Sequence, residues 1–462
     1  MASENVLGTA KIRPLFFRLA LPAVVAQVVN MLYNMVDRMY IGHIPDIGPL
    51  ALTGVGVSMP IIMLISAFSM LIGAGGAPHA SIALGAGEKD KAEKTLSTAF
   101  TAAVISGLFL TIVFIIFTEP LLRLVGASDA SIPYAMPYTR IYVIGTIAVM
   151  MSLGMNFFIS AQGFASIAMR TTLIGAILNI LLDPLFIFVF NLGVKGAAIA
   201  TVISQLVSAA WVIYFLQSKK SHIRLRFGSW SLDRTYLLPI LALGLSPFIM
   251  HSTESLLQIT FNRSLFTYGG DLYVGTMAIN MLVMQLVIIP VSGIAQGTTA
   301  LISYNYGAKN AARVKESVHL LIKVGVLLTV LLGIVIQVFP TLFTTLFTTD
   351  PDLTVATAST MRIYCLGVFF LGLQIACQQS FIAFGQAKIS MFMALLRKVI
   401  LLIPLILILP RFFSPEVYAV YWAEPIADIT AATVTSIMFF RFLKRELLSM
   451  KEKTTNAEAL KS

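Results

Sequence analysis

Apolar residues in this chain come in long unbroken runs, without the strict alternation of half-buried strands. Six runs, near residues 14–42, 51–85, 92–118, 135–160, 169–190 and 196–217, are followed by a polar stretch. Six more follow, near 237–266, 272–305, 314–347, 358–383, 390–413 and 417–443. Crossing the hydrocarbon core of a bilayer takes roughly 20 largely apolar residues. Lipid leaves backbone groups no outside partner, so only helices or closed barrels can span it, and continuous runs favour helices over alternating barrel strands. The first run, after Lys11 and Arg13, is too long for the core of a cleaved signal peptide and is expected to remain as the first span.

The two sets of six are copies of each other. Gly75, Ser81 and Gly85-Ala86 recur as Gly297, Ser303 and Gly307-Ala308, and Arg140-Ile141-Tyr142 with Gly145 recurs as Arg362-Ile363-Tyr364 with Gly367, all at an offset of 222. Gly163 and Ala165 return at the same offset as Gly385 and Ala387, whereas Pro22, Asp37 and Arg38 match Pro247, Asn262 and Arg263 at 225. A three-residue slip in the first loop accounts for the change. Six spans is an even number, so both copies enter the membrane from the same side. The expected fold is an all-α integral membrane protein of about 12 transmembrane helices in two parallel six-helix repeats.

Charge orients these spans. The N-terminus, the even-numbered loops, the linker and the tail together carry 22 Lys and Arg, among them Arg226, Lys451, Lys453 and Lys461, while the opposite loops carry three, Arg123, Lys195 and Arg411. By the positive-inside rule both termini are cytoplasmic. The stretch from Ser218 to Thr235, with Lys219, Lys220, Arg224, Arg226 and Arg234, reads as a basic linker. Residues 1–217 then form an N-terminal six-helix lobe, 218–235 the linker, 236–445 a C-terminal lobe and 446–462 a cytoplasmic tail. Composition agrees: 58% of residues are apolar and 11% charged, and the mean hydropathy is +0.88. A net charge of +11 needs no nucleic acid, because a basic face against anionic lipid is sufficient.

Acids inside such spans carry the candidate chemistry. An Asp at the centre of a span costs about 2.5–3.5 kcal/mol on insertion scales, so it must face a cavity or a partner. Asp37 and Asp183 stand out, and neither is matched by an acid in the other copy. Arg38 offers Asp37 a neighbouring charge, but adjacent helical residues point about 100° apart. Asn179 shares a helix face with Asp183, and Pro184 frees the carbonyl of Ile180. Two acids brought together in poorly hydrated surroundings repel unless a proton or cation joins them. In the second copy Glu254 either draws cationic substrate or is neutralised by Arg263, Arg397 or Lys398, and Glu424 and Asp428 face the choice of offsetting Arg397 and Lys398 or meeting substrate. His251, three residues before Glu254, is the one histidine with a candidate role; His43, His79, His222 and His319 show no ligand spacing. The two cysteines, Cys365 and Cys377, read as packing residues.

The first-span stretch Leu21-Pro22-Ala23 through Val36-Asp37-Arg38 to Gly42, the Gly-rich second-span exit Gly73 to Gly87, and Asn179 with Asp183-Pro184 together resemble the multidrug and toxic compound extrusion (MATE) family, in its MepA-like branch. The match runs over about residues 10 to 445. It implies two lobes facing a central cavity and export of small, mostly cationic amphipathic drugs or toxic metabolites in exchange for Na⁺ or H⁺, with alternating access. It also implies an ion or proton site in the N-terminal lobe formed by Asp37, Asp183, Asn179, Thr201, Asn156 and the carbonyl of Ala197, with Asp37, Asp183 and Asn179 as the ligands if the ion is Na⁺. Where the NorM-like branch carries an acid in the tenth span, this chain has Gln374, Gln378 and Gln379, so Glu254, His251, Gln374 and Gln378 are assigned to the substrate cavity. The 21 methionines and 31 phenylalanines suit a cavity that repacks around varied ligands. Expected partners are small molecules and membrane lipids, with no nucleic acid, no cofactor beyond the coupling ion and a monomeric state, in a bacterial inner membrane. A lipid or oligosaccharide flippase of the same superfamily is the alternative. An enzyme is not expected, since no nucleophile–base or metal set is present.

Overall fold

The computed structural model describes residues 6–225 and 232–459, with the side chains of 451 and 453–459 left aside. Arg226 and Lys461, counted above, lie outside the described residues, as do the side chains of Lys451 and Lys453. Among the described residues every regular element is helical. The spans are α1 (Ile12–Gly42), α2 (Gly48–Gly85), α3 (Lys89–Ile116), the bent pair Ile132–Ile144 and Thr146–Ala161 as α4, α5 (Ala165–Val189) and α6 (Val194–Gln217). Arg234–Gly307 is two helices, α7 and α8, joined at Gly270, whose φ of 70° lies in the left-handed region where a Cβ is disfavoured. Then come α9 (Ala311–Val338), α10 (Pro351–Ala383), α11 (Ala387–Arg411) and α12 (Glu416–Met450). Twelve spans in two sets of six result, as the apolar runs predict.

The ends have local causes. Pro340 stops α9 and starts a short separate helix, Pro340–Thr345, where hydropathy alone extends the span to 347. The Asp350 carboxylate caps α10 by accepting from the Asp352 and Leu353 amides at 2.9 and 3.4 Å. Three spans contain wider π-helical turns: Met150–Gly154 in α4, Leu185–Val189 directly after Pro184 in α5, and Leu396–Leu402 in α11. Such turns are rare and re-aim side chains.

Packing within the membrane uses small residues, as expected where lipid tails compete with side chains for apolar contact. Gly73 meets the backbone of Gly154, and Gly325 meets that of Gly372. The repeated pair Gly145 and Gly367 serves both copies: a Cβ on Gly145 would fall 2.8 Å from Val202 Cγ2, and one on Gly367 would fall 2.8 Å from Asp428 Cβ. Outward faces are apolar, as in the stripes Phe109, Ile112 and Ile116 on α3 and Leu327, Leu331, Ile334 and Val338 on α9. Exposed apolar stripes of this length are lipid contacts rather than water contacts. Cys365 and Cys377 are both buried free thiols.

By packing, the chain forms two units. One is Leu21–His251; the other combines Ser252 onward with the N-terminal residues up to Ala20. In the first unit, the start of the linker is tied down by Gln162, whose Oε1 accepts from Ser221 Oγ at 3.0 Å and from the His222 and Ile223 amides at 2.7 and 3.1 Å. Glu93 adds a bond from the Arg224 amide at 3.2 Å. In the second unit, the carbonyl of Leu7 accepts from Asn305 Nδ2 at 3.0 Å and Arg313 Nη2 at 2.8 Å.

Candidate functional site

On α1, Tyr33 and Asn34 each lie three or four residues from both Asn30 and Asp37, so the four cluster on one side of the helix. All four line a cavity of about 210 Å³ wholly inside the unit Leu21–His251. Its other walls come from α2, α4, α5 and α6, and include Asn156, Asn179 and Thr201. Among the described residues no Lys or Arg lines it.

Asp37 lines this cavity and Asp183 lies behind it, 6% and 0% exposed, with their carboxyl groups within hydrogen-bonding reach of each other. They are 146 residues apart in sequence, and the fold brings them together. The expected neighbours are there too. Asn179 Nδ2 donates to Asp183 Oδ1 at 3.0 Å and lies 3.4 Å from Thr201 Oγ1, which in turn donates to the carbonyl of Ala197 at 3.0 Å. Both links along a helix are four-residue steps, which stack side chains on one face. Asn156 Nδ2 donates to the Ala168 carbonyl at 3.1 Å. Four oxygens then remain buried without a hydrogen-bond partner: Asp37 Oδ1, Asp183 Oδ2, Asn179 Oδ1 and Asn156 Oδ1. Arg38 is exposed, and no ion pair joins it to Asp37. Burying a carboxylate without a base or cation is costly, and burying two in contact costs more.

Sequence reasoning passed over several members of this site. Tyr33, Tyr138 and Tyr142 line the same cavity as Asp37, and a Ser152–Gln205 hydrogen bond joins α4 to α6 along the cavity wall. For Tyr33, Asn30 and Asn34 the signal was present, in their helical spacing from Asp37. For Tyr138, Tyr142 and Gln205 only the tertiary fold supplies it.

The residues assigned to the substrate cavity are arranged differently. Glu254 is ion-paired with Lys398, not with Arg263, which is exposed. Arg397 donates from Nη2 to Glu424 Oε1 at 3.0 Å and from Nε to Asp428 Oδ1 at 2.6 Å. Both bases lie in the π-helical turn of α11. His251 is exposed and closes the first unit, while Glu254 belongs to the second. Gln374 and Gln378 are buried on one face of α10, and Gln374 Oε1 has no hydrogen-bond partner.

The MatE family model matches residues 22–185 and 247–408, one match in each copy of the repeat. The chain belongs to the MatE family. Members of this family are transporters, so the chain is a multi-pass membrane transporter. Among its relatives, the multidrug export protein MepA of Staphylococcus haemolyticus is 23% identical over 426 residues, 92% of this chain and 93% of that protein. The resemblance to the MepA-like branch therefore stands. MatE folds of known structure superpose over nearly the whole chain. MATE crystallised in a bent conformation gives a TM-score of 0.91 at 23% identity, covering 98% of this chain and 100% of that one. MATE in a straight conformation gives 0.89 at 23% identity with the same coverage. The twelve-helix, two-repeat architecture is thus that of MatE transporters.

Proposed function

We propose that this MatE protein is a secondary active multidrug exporter that exchanges small, mostly cationic amphipathic compounds for H⁺ or Na⁺ by alternating access. The observation that carries the reading is the contact of Asp37 with Asp183 beside a cavity that no base among the described residues lines, with buried oxygens of both acids and of Asn179 and Asn156 lacking a donor. Such a set suits a proton or a hard cation, which seeks oxygen ligands. Loading would remove the repulsion between the acids, and unloading would restore it, so α1 and α5 would prefer different arrangements in the two states. A ligand with different affinities for two states shifts their populations, and a drug that also discriminates between them is thereby coupled to the ion.

A carrier of phosphate-bearing lipids needs bases along its cavity, and among the described residues none lines this one. The charge bias of the loops supports both termini in the cytoplasm, and the staphylococcal MepA relatives support a bacterial plasma membrane. Single cysteines at Lys220, exposed in the linker, should be labelled only from the cytoplasm and those at Asp46 or Ser414 only from outside; the reverse pattern would overturn that orientation. The transport reading is tested in proteoliposomes with separately imposed H⁺ and Na⁺ gradients. Uptake of a cationic dye should follow one of the two gradients and collapse when it is dissipated. Uptake that ignores both gradients would refute antiport.

A further inference from the structure

The unit from Ser252 onward has a charged centre of its own. Five ionisable side chains meet there: Glu254 on α7, Arg397 and Lys398 on α11, and Glu424 and Asp428 on α12. Lys398 is taken by Glu254, whose side chain is 54% exposed. That leaves one guanidinium, Arg397, for two carboxyl groups that are 5% and 1% exposed. Three acids on two bases leave one negative charge in excess, and the excess falls on the buried end of the cluster.

A second observation locates it. Asp428 Oδ2 is buried without a hydrogen-bond partner, and it faces Gly367, which has no side chain to offer one. The groups facing Glu424 and Asp428 from α10 are Tyr364 and Cys365, neither of which brings positive charge. An unbalanced carboxylate in such surroundings is far more costly than a neutral acid. A metal cation fits poorly, because Arg397 and Lys398 repel it and hard cations need several free oxygens, whereas the buried pair has its Glu424 Oε1 and Asp428 Oδ1 already engaged by Arg397. A proton needs one.

We propose that the Glu424–Asp428 pair is a second proton-binding site, separate from the Asp37–Asp183 site, and that it takes up one proton from water. The proton adds to one carboxylate to give a carboxylic acid, and the cluster passes from one net negative charge to none. Exchange with water runs through the Glu254 end, the exposed end of the cluster. Proton binding stands on its own geometry; that this proton also contributes to export rests on the antiport reading above.

The test is infrared difference spectroscopy on purified protein in lipid, between acidic and alkaline buffer. Wild type should show a protonated-carboxyl carbonyl band that survives in Asp37→Asn/Asp183→Asn and is lost in Glu424→Gln/Asp428→Asn. A band spectrum unchanged by Glu424→Gln/Asp428→Asn would overturn the proposal. If that variant does not fold, Glu254→Gln serves instead: it leaves two acids on two bases, so the band should weaken at the same pH, and an unchanged band would equally overturn it. Loss of gradient-driven export in the assay above would refute antiport while leaving this band in place, so the two readings fail separately.

Discussion

The two halves of this transporter descend from one repeat but handle buried charge in opposite ways. In Leu21–His251, two carboxyl groups meet beside a cavity that no base among the described residues lines, and neutral amides and hydroxyls surround them. In the half from Ser252 onward, three acids are held by Arg397 and Lys398 through direct ion pairs. At the repeat offset of 222, Arg397 and Lys398 fall on Gly175 and Ala176, and at 225 Asp37 falls on Asn262. The same helical frame thus carries a pair of acids beside a cavity lined by amides and hydroxyls and, in the other copy, three acids on two bases, where all but one of the negative charges are offset by the chain itself. Acids that the chain does not neutralise itself are the ones free to respond to an external cation.

The contrast is broken or sharpened first by stability. Arg397→Met strands two buried carboxyl groups and should cost about 3–5 kcal/mol, seen as a large fall in the thermal midpoint of the purified protein. Asp183→Asn removes a charge that no base was holding, so its midpoint should stay level or rise. Equal losses in both would erase the distinction between the halves. Glu254→Gln should do less than Arg397→Met, on the order of 1 kcal/mol or below, because Glu254 is exposed and the four charges left behind cancel. A loss as large as that of Arg397→Met would mean that the cluster acts as a single unit.

The smallest effect concerns the segments that bind the ends of the chain to each half. His222 stacks on Phe164, with ring centroids 5.0 Å apart, and burial, then the nearby Lys89, holds its pKa below the ordinary histidine value. The docked form is therefore the neutral one. Docking is complete well above the ordinary pKa of about 6.5 and weakens as pH falls through it. Amide exchange at Ile223 and Arg224, corrected for its intrinsic rate, should rise in mild acid, and His222→Phe should remove that rise. The counterpart in the other half, the Leu7 carbonyl held by Asn305 and Arg313, contains no histidine and should show no such step.

Much of this was legible in the sequence because lipid imposes a one-dimensional rule. Apolar runs located the twelve spans to within a few residues, except where Pro340 and Pro351 reset the helix ends flanking the loop before α10, and at the end of α12, where the helix runs on past 443 into the polar tail as far as Ala459. The Asn179–Asp183 bond was legible as a four-residue helical step. That Asp37 meets Asp183 was implied by family resemblance and not by spacing, since contacts between helices leave no local pattern. Glu254 had three candidate bases in sequence; the π-helical turn at Leu396–Leu402, invisible in hydropathy, presents Lys398 to it and Arg397 to α12. The grouping of the first twenty residues with the second half is likewise a product of packing, whereas composition marks only the basic linker.

The central claim is that Asp37 and Asp183 work as one ion-coupling site. Its most direct test is a double-mutant comparison of gradient-driven dye transport by Asp37→Asn, Asp183→Asn and the double variant in proteoliposomes, with dye binding measured in parallel. Neutral Asn mimics only the loaded state, so each single variant should lose at least ten-fold in transport, about 1.4 kcal/mol in coupling. Dye binding should largely remain, and the double variant should be no worse than either single one. Near-normal transport in both single variants, or losses that simply add in the double, would contradict the account.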